Sequence, residues 1–245
     1  MEEIRLAGGF VSDVVRVGGT VRRSLTGRSG FVHALLEHFE RREWGGAPRF
    51  LGVDKQGREV LSYLPGDVPW QQERAPWATS DKSLVRVAEL VREFHDLTAG
   101  TELARDEEVV CHNDLSPKNT VYDGLGDETR PVAFIDWDIA APGARVHDVA
   151  HVCWQYLDLG PSVTDVAEAG RRVRLISDAY GLADRDGLVE TILWWQDRCR
   201  RGIEAGAADG DPAMIRLAEA GVVVSIRNAA QWVGRHRREL EDRLR

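Results

Sequence analysis

Val109-Val110-Cys111-His112-Asn113-Asp114-Leu115-Ser116-Pro117-Lys118-Asn119-Thr120 and, further along, Phe134-Ile135-Asp136-Trp137-Asp138 decide how the rest of the chain is read. Val109 to Cys111 and Val132 to Ile135 are short β-prone runs. Between them lies a polar loop with the spacing His-x-Asp-x-x-x-x-Asn, and a second aspartate leaves the next strand. On the N-terminal side, Leu84, Val87, Ala88, Val91, Phe94 and Thr98 fall on one helical face, and Gly100 is placed to end that helix. From residue 147 onward the pattern is helical, with breaks near Gly160-Pro161, Gly181 and Asp209 to Pro212.

The first 66 residues differ in kind. Val14-Val15-Arg16-Val17 and Thr20-Val21-Arg22-Arg23 flank Gly18-Gly19, a hairpin signal. Phe31, Leu35, Leu36 and Phe39 then share a helical face, which Gly45-Gly46 and Pro48 close. Phe50 to Val53 and Val60 to Leu64 read as two strands about a turn at Asp54-Lys55-Gln56-Gly57. Pro65-Gly66, with Pro69 and Pro76 beyond, marks a boundary of turn residues. The expected division is a small β-rich N-terminal lobe, 1–66, and a larger, mainly helical C-terminal lobe, 67–245, giving an α/β (α+β) architecture.

Composition narrows the function classes. The 245 residues are 43% hydrophobic and 29% charged, which is globular rather than disordered or fibrous. A formal charge of −8 disfavours a nucleic-acid or anionic-membrane binder. No stretch approaches the roughly 20 apolar residues that span a bilayer. Met-Glu-Glu-Ile-Arg lacks the basic and apolar regions of a signal peptide. Cys111, Cys153 and Cys199 are scattered, without C-x-x-C spacing, as reduced thiols would be. The expectation is a cytoplasmic protein, monomeric or weakly dimeric. Charge is unevenly spread, +2 over residues 1–66 and −10 over the remainder, so a cationic small-molecule partner would be attracted to the second part.

The quoted loop carries a definite chemistry. Phosphoryl transfer asks for one carboxylate that orients an acceptor hydroxyl and takes its proton. It also asks for an amide and a second carboxylate that hold magnesium against nucleotide phosphates. Asn119 and Asp136 offer the oxygen ligands that this hard cation favours. Most of the catalysis is positioning and charge neutralisation, so anchoring the loop between strands matters as much as residue type.

The segment resembles the catalytic and metal-binding loops of the aminoglycoside phosphotransferase-like (choline kinase-type) family, which has the bilobal protein-kinase-like fold. The resemblance implies Asp114 as catalytic base, Asn119 and Asp136 as magnesium ligands, and His112 as a structural residue of the loop. Ala141-Pro142-Gly143-Ala144-Arg145-Val146-His147-Asp148 resembles the family's next block, in which Asp148 would brace the loop. Ala7-Gly8-Gly9-Phe10-Val11-Ser12-Asp13-Val14 resembles its nucleotide loop. There Gly8 and Gly9 would let backbone N–H groups reach phosphates, Ser12 would add a hydroxyl and Val14 would pack on the base. Ser62-Tyr63-Leu64 falls where the hinge offers backbone hydrogen bonds to a purine. The implied cofactors are ATP or GTP with Mg2+, and the implied acceptor is a small-molecule hydroxyl.

One departure stands out. The family usually carries a lysine on the third strand, paired with a glutamate on the following helix. No lysine precedes Lys55, and Arg23 occupies the matching position. Arginine is longer, permanently charged and forked. The helix position expected to hold glutamate is His33, with Glu37 one turn later on the same face. The expectation is that Arg23 contacts phosphate and that Glu37, with His33, orients it. Val21-Arg22-Arg23 and Val32-His33-x-Leu35-Leu36 also resemble a trifolitoxin-immunity-like branch. Two alternatives therefore stand beside the kinase reading: a catalytically weak immunity or binding protein for an antibiotic or peptide, and a peptide Ser/Thr kinase. Ser116 disfavours the latter, because protein kinases carry lysine two residues after the catalytic aspartate. His95 and His151 read as packed structural histidines, and Trp194-Trp195 near Arg198 as core or as an acceptor-pocket wall.

Overall fold

The computed structural model describes residues 3–6, 14–69, 76–124 and 126–245. The chain gathers into two compact units, residues 1–145 and 146–245. The turn-rich stretch at 65–66 lies inside the first.

The first unit opens with a five-stranded antiparallel sheet of order β1-β2-β3-β5-β4. Its strands are β1 (Ile4–Arg5), β2 (Val15–Val17), β3 (Thr20–Ser24), β4 (Phe50–Val53) and β5 (Arg58–Ser62). β2 and β3 turn through Gly18-Gly19 in a two-residue loop that pairs Val17 with Thr20, and Gly18 takes the φ of +60° that such a loop requires. β5 begins two residues before the expected Val60. The reason is Asp54, whose carboxylate accepts from the backbone N–H groups of Gln56 and Arg58 and from Arg58 Nε. That closes the turn early and starts the ladder at Arg58.

Helix α1 (Ser29–Arg41) buries Val32, Leu35, Leu36 and Phe39. The buried stripe thus starts at Val32, while Phe31 is half-buried. The chain leaves α1 at Glu43, which has positive φ, before the glycines are reached. Gly46 sits so close to the Trp44 indole that a side chain there would collide with it.

Helix α2 (Asp81–Thr98) is capped by Ser80, which accepts from Ser83 N–H. Gly100, at φ +66°, ends it as expected. Four short strands complete the unit: β6 (Val109–Cys111), β7 (Thr120–Asp123), β8 (Arg130–Phe134) and β9 (Ala141–Gly143). β6 pairs with β9 and β7 with β8. Of these, β7 and β9 are additions to the sequence reading. Under the loops between them lies an aromatic cluster: Trp137 packs against Phe39, Phe94, Trp44 and His112 at ring separations of 5.2, 5.1, 6.4 and 4.4 Å.

The second unit is helical: α3 (Arg145–Leu157), α4 (Val166–Tyr180), α5 (Leu188–Ala208), α6 (Pro212–Glu219) and α7 (Val222–Leu244). Helices α4, α5 and α6 each pack on α7, and α5 also packs on α6. The apolar positions of α7, Ile226, Ala229, Trp232, Val233, Leu240 and Leu244, recur at the spacing of one helical face. Gly181 ends α4 in the left-handed conformation and Asp211 caps α6, both at breaks legible in the sequence. Among the described residues no helix is long and apolar enough to cross a membrane.

Candidate active site

The loop from Cys111 to Thr120 is shaped by its own side chains. Asn119 Nδ2 donates to both the backbone carbonyl and the Oδ2 of Asp114, each at 2.8 Å. Asn119 is buried, and with its Nδ2 spent on Asp114 it keeps an amide oxygen as an acceptor. Asp114 N–H donates to His112 Nδ1 at 3.3 Å, and His112 Nε2 bonds the carbonyl of Ile135 at 3.1 Å. His112 is buried within this bridge. Lys118 Nζ, half exposed, lies 3.8 Å from Asp114 Oδ2.

The second aspartate is brought to the same place through the backbone. Ile135 N–H donates to the carbonyl of Asn119 at 2.9 Å while its own carbonyl is taken by His112. The peptide before Asp136 is thereby gripped from both sides by the loop that carries Asp114. Trp137 Nε1 donates to Phe134 O at 3.0 Å, Asn113 Nδ2 to Ile139 O at 3.0 Å, and Arg28 Nη2 to Ala140 O at 2.8 Å. Asn113 and Asp136 both adopt positive φ, 67° and 66°. That conformation is uncommon outside glycine, and aspartate and asparagine are among the few residues that tolerate it. The effect is to turn Asp136 outward, with 48% of its side chain exposed, while Trp137 stays in the core.

Arg23 faces this segment from β3. Its Nε donates to Glu59 Oε1, its Nη2 lies 2.6 Å from Asp138 Oδ1, and its Nη1 lies 3.4 Å from Asp136 Oδ1. Glu59 is directly opposite Arg23 in the β3–β5 ladder. His33 Nε2 lies 2.6 Å from Glu59 Oε2, and its ring stacks on Phe50 at 3.7 Å. Burial works against the charged guanidinium, but the carboxylates of Asp138, Glu59 and Asp136 outweigh it and hold Arg23 above the ordinary arginine value. Burial likewise pushes Asp138 up; Arg23 opposes the shift, while Asp136 and Glu59 add to it.

Several expectations are thereby corrected. The carboxylate that meets Arg23 is Glu59, not Glu37; Glu37 points to solvent, 4.0 Å from Arg41. His33 acts on Arg23 only through Glu59. Arg22, on the opposite strand face, turns to Asp54 at 3.6 Å. At the expected hinge, Ser62 N–H donates to Arg49 O and Tyr63 N–H to Gly19 O, so neither offers its N–H to a purine here. Val14 and Leu64 are half-buried, but the register sets them at opposite ends of the sheet, Val14 beside the Arg22–Arg23 end and Leu64 beyond Ser62 at the Gly18-Gly19 end. Gly8, Gly9 and Ser12 lie outside the described residues. Asp148 is buried in the first turn of α3, in the second unit.

Glu59 and Asp138 are the residues the sequence reading missed. Glu59 carried a signal: it shares a strand face with buried Leu61 by two-residue alternation, so a charge occupies an apolar position. Asp138 was visible within the motif but had no role.

Asn119 and Asp136 are both oxygen donors in a locally anionic setting, a donor set that suits Mg2+. Hydrogen bonds and ion pairs thus link Asp114 to Asn119, Asn119 through its backbone to the segment of Asp136, and Asp136 to the buried, forked Arg23.

Comparison with known proteins agrees. The model of the phosphotransferase enzyme family matches residues 100–181. The trifolitoxin immunity protein of Rhizobium leguminosarum bv. trifolii is 29% identical over 99% of each chain. Among solved structures, the GDP and kanamycin complex of the aminoglycoside phosphotransferase APH(2")-IIIa superposes with a TM-score of 0.63 at 15% identity, covering 92% of this chain and 93% of that one. A choline/ethanolamine kinase family protein of Mesorhizobium loti gives 0.55 at 16% identity, covering 95% and 92%. The chain therefore has the protein-kinase-like fold of the aminoglycoside phosphotransferases and choline/ethanolamine kinases, and it resembles the phosphotransferase enzyme family most directly in the segment that holds Asp114, Asn119 and Asp136.

Proposed function

We propose that the protein transfers the γ-phosphate of ATP or GTP to a hydroxyl group of a small molecule. The observation that carries this reading is Asn119, whose side-chain amide donates to Asp114 while its backbone carbonyl accepts from Ile135 N–H, next to Asp136. Asp114 orients the acceptor hydroxyl and receives its proton as the phosphorus–oxygen bond forms. Asn119 and Asp136 would hold Mg2+, which when bound neutralises phosphate charge. Arg23 supplies a fixed positive charge to the phosphates, and its burial spares it the reorganisation that an exposed side chain would need. In this reading Val14, level with Arg23 in the sheet, packs on the base, and Gly8, Gly9 and Ser12 serve the phosphates. The relatives solved with GDP, kanamycin and gentamicin support a nucleotide and a hydroxyl-rich acceptor. The charge of −10 over residues 67–245 favours a cationic one.

The test is ADP or GDP release with Mg–ATP or Mg–GTP across a panel of aminoglycosides and other hydroxylated natural products, with Asp114→Asn as control. Acceptor-dependent release lost in the control supports the reading; absence of nucleotide binding by the wild type overturns it. A second reading rests on the full-length likeness to an immunity protein. A protein that merely holds its toxin keeps its protective effect in Asp114→Asn, whereas one that phosphorylates the toxin loses it.

A further inference from the structure

We propose that Glu59, held by His33, is a positioning residue that aims Arg23 at the nucleotide phosphates, so the anchor of the phosphate-binding cation comes from the neighbouring strand rather than from helix α1. The inference rests on the phosphotransferase reading above and assigns the parts of its phosphate grip.

The geometry of the guanidinium carries the argument. Of its three nitrogens, two are held: Nε by Glu59 and Nη2 by Asp138 at 2.6 Å. Among the described residues the third, Nη1, makes only a long contact of 3.4 Å to Asp136, whose side chain is about half exposed. A planar fork fixed at two corners presents its third edge in one direction. That edge is the weakly engaged one, and it lies beside a candidate magnesium ligand, where a phosphate oxygen would arrive.

Glu59 fits the role of holder and no other that the structure offers. It is among the most buried charged residues, with only 2% of its side chain exposed, so it cannot itself meet substrate. Both of its oxygens are engaged, Oε1 by Arg23 and Oε2 by His33. His33 is in turn immobilised by its stack on Phe50 of β4. A chain of fixed contacts thus runs Phe50–His33–Glu59–Arg23, and β3, β4, β5 and α1 each contribute one member. Such a chain limits the rotamers of a long side chain and reduces the ordering cost when phosphate binds.

The test exploits opposite signs. Glu59→Gln removes a negative charge beside an anion site; were charge the only effect, ATP would bind more tightly. Loss of positioning instead weakens it, by about tenfold for a coupled buried contact. Adding His33→Glu to Glu59→Gln returns a carboxylate to the same cluster from α1. Positioning predicts that affinity is regained, while a pure charge effect predicts that it is not. Affinity is measured by titration calorimetry with ATP in the absence of magnesium, isolating the phosphate grip from the metal ligands, and thermal melts report folding. Should Glu59→Gln fail to fold, His33→Phe serves instead: it keeps the ring on Phe50, removes the bond to Glu59, and is expected to weaken ATP in the same direction. Unchanged or tightened binding in the folded variants, with wild-type ATP binding intact, overturns this inference alone. A wild type that binds neither ATP nor GTP overturns it together with the phosphotransferase reading.

Discussion

Two charged clusters in this molecule use the same residue types to opposite effect. Around Arg23, one cation meets Glu59, Asp138 and Asp136 within a sheet-and-loop setting where Arg23 and Glu59 are almost closed to solvent. On α5, Arg200 bonds Asp197 at 2.6 Å and also reaches Glu204, while Arg201 bonds Asp197 and Arg227, from α7, approaches Glu204 at 3.5 Å, all with side chains open to water. The helical cluster has more partners and shorter sequence spacing, yet water screens it and its side chains give up rotamer freedom to form it. The sheet cluster has fewer cations than anions, and solvent reaches it only from the Asp136 and Asp138 side, since Arg23 and Glu59 are nearly closed off. Its excess negative charge is what a metal–nucleotide site needs. Counting ion pairs would rank these clusters wrongly; burial and charge imbalance rank them correctly.

That contrast can be broken experimentally, beginning with the largest effect. Asp114→Asn preserves side-chain size but removes the carboxylate proposed to take the acceptor's proton, and acceptor phosphorylation is expected to fall about 10²- to 10⁴-fold, measured as steady-state nucleoside-diphosphate release. Arg23→Met leaves three carboxylates without their shared cation, and a loss of about 3–5 kcal/mol in stability by urea unfolding is expected for breaking a buried pair. Gly66→Ala is expected to cost more than about 1 kcal/mol by the same measurement. Gly66 has a φ of +141°, and a side chain there would sit 2.5 Å from the Tyr122 carbonyl oxygen. It tests whether the link from β5 to the paired residues Asp67 and Tyr122 fixes the sheet that carries Arg23. At the other extreme, Arg200→Ala is expected to leave the melting temperature unchanged within measurement error, as is raising the salt concentration for the wild type. A measurable drop in either case would erase the distinction between the two clusters.

The legible parts of the site were those whose signal is local. His112, Asp114 and Asn119 lie within eight consecutive residues, and Asp136 leaves a recognisable strand, so the motif that carries the family resemblance is compact in sequence. The hairpin at Gly18-Gly19, the stripe on α1 and the ends of α2 and α4 were equally local. The partner of Arg23 was not. It depends on the register in which β3 meets β5, a long-range pairing that periodicity does not encode. Placing the start of β5 at Val60 removed Glu59 from the strand and left Glu37, the nearest acid on the helical face, as the apparent partner. Strand β7 was hidden because Thr120-Val121-Tyr122 continues directly from the motif, and β9 because Pro142 reads against a strand.

The replacement of lysine by arginine at position 23 also has a consequence for detection. Reagents that mark nucleotide sites by acylating a phosphate-bound amine have no amine to attack on β3, because a guanidinium keeps its proton and stays a poor nucleophile. With lysines only at 55, 82 and 118, a tagged peptide from a labelled cell extract would carry Lys118, beside Asp114, or nothing at all. Surveys based on that chemistry would report the Cys111–Thr120 loop or overlook the protein.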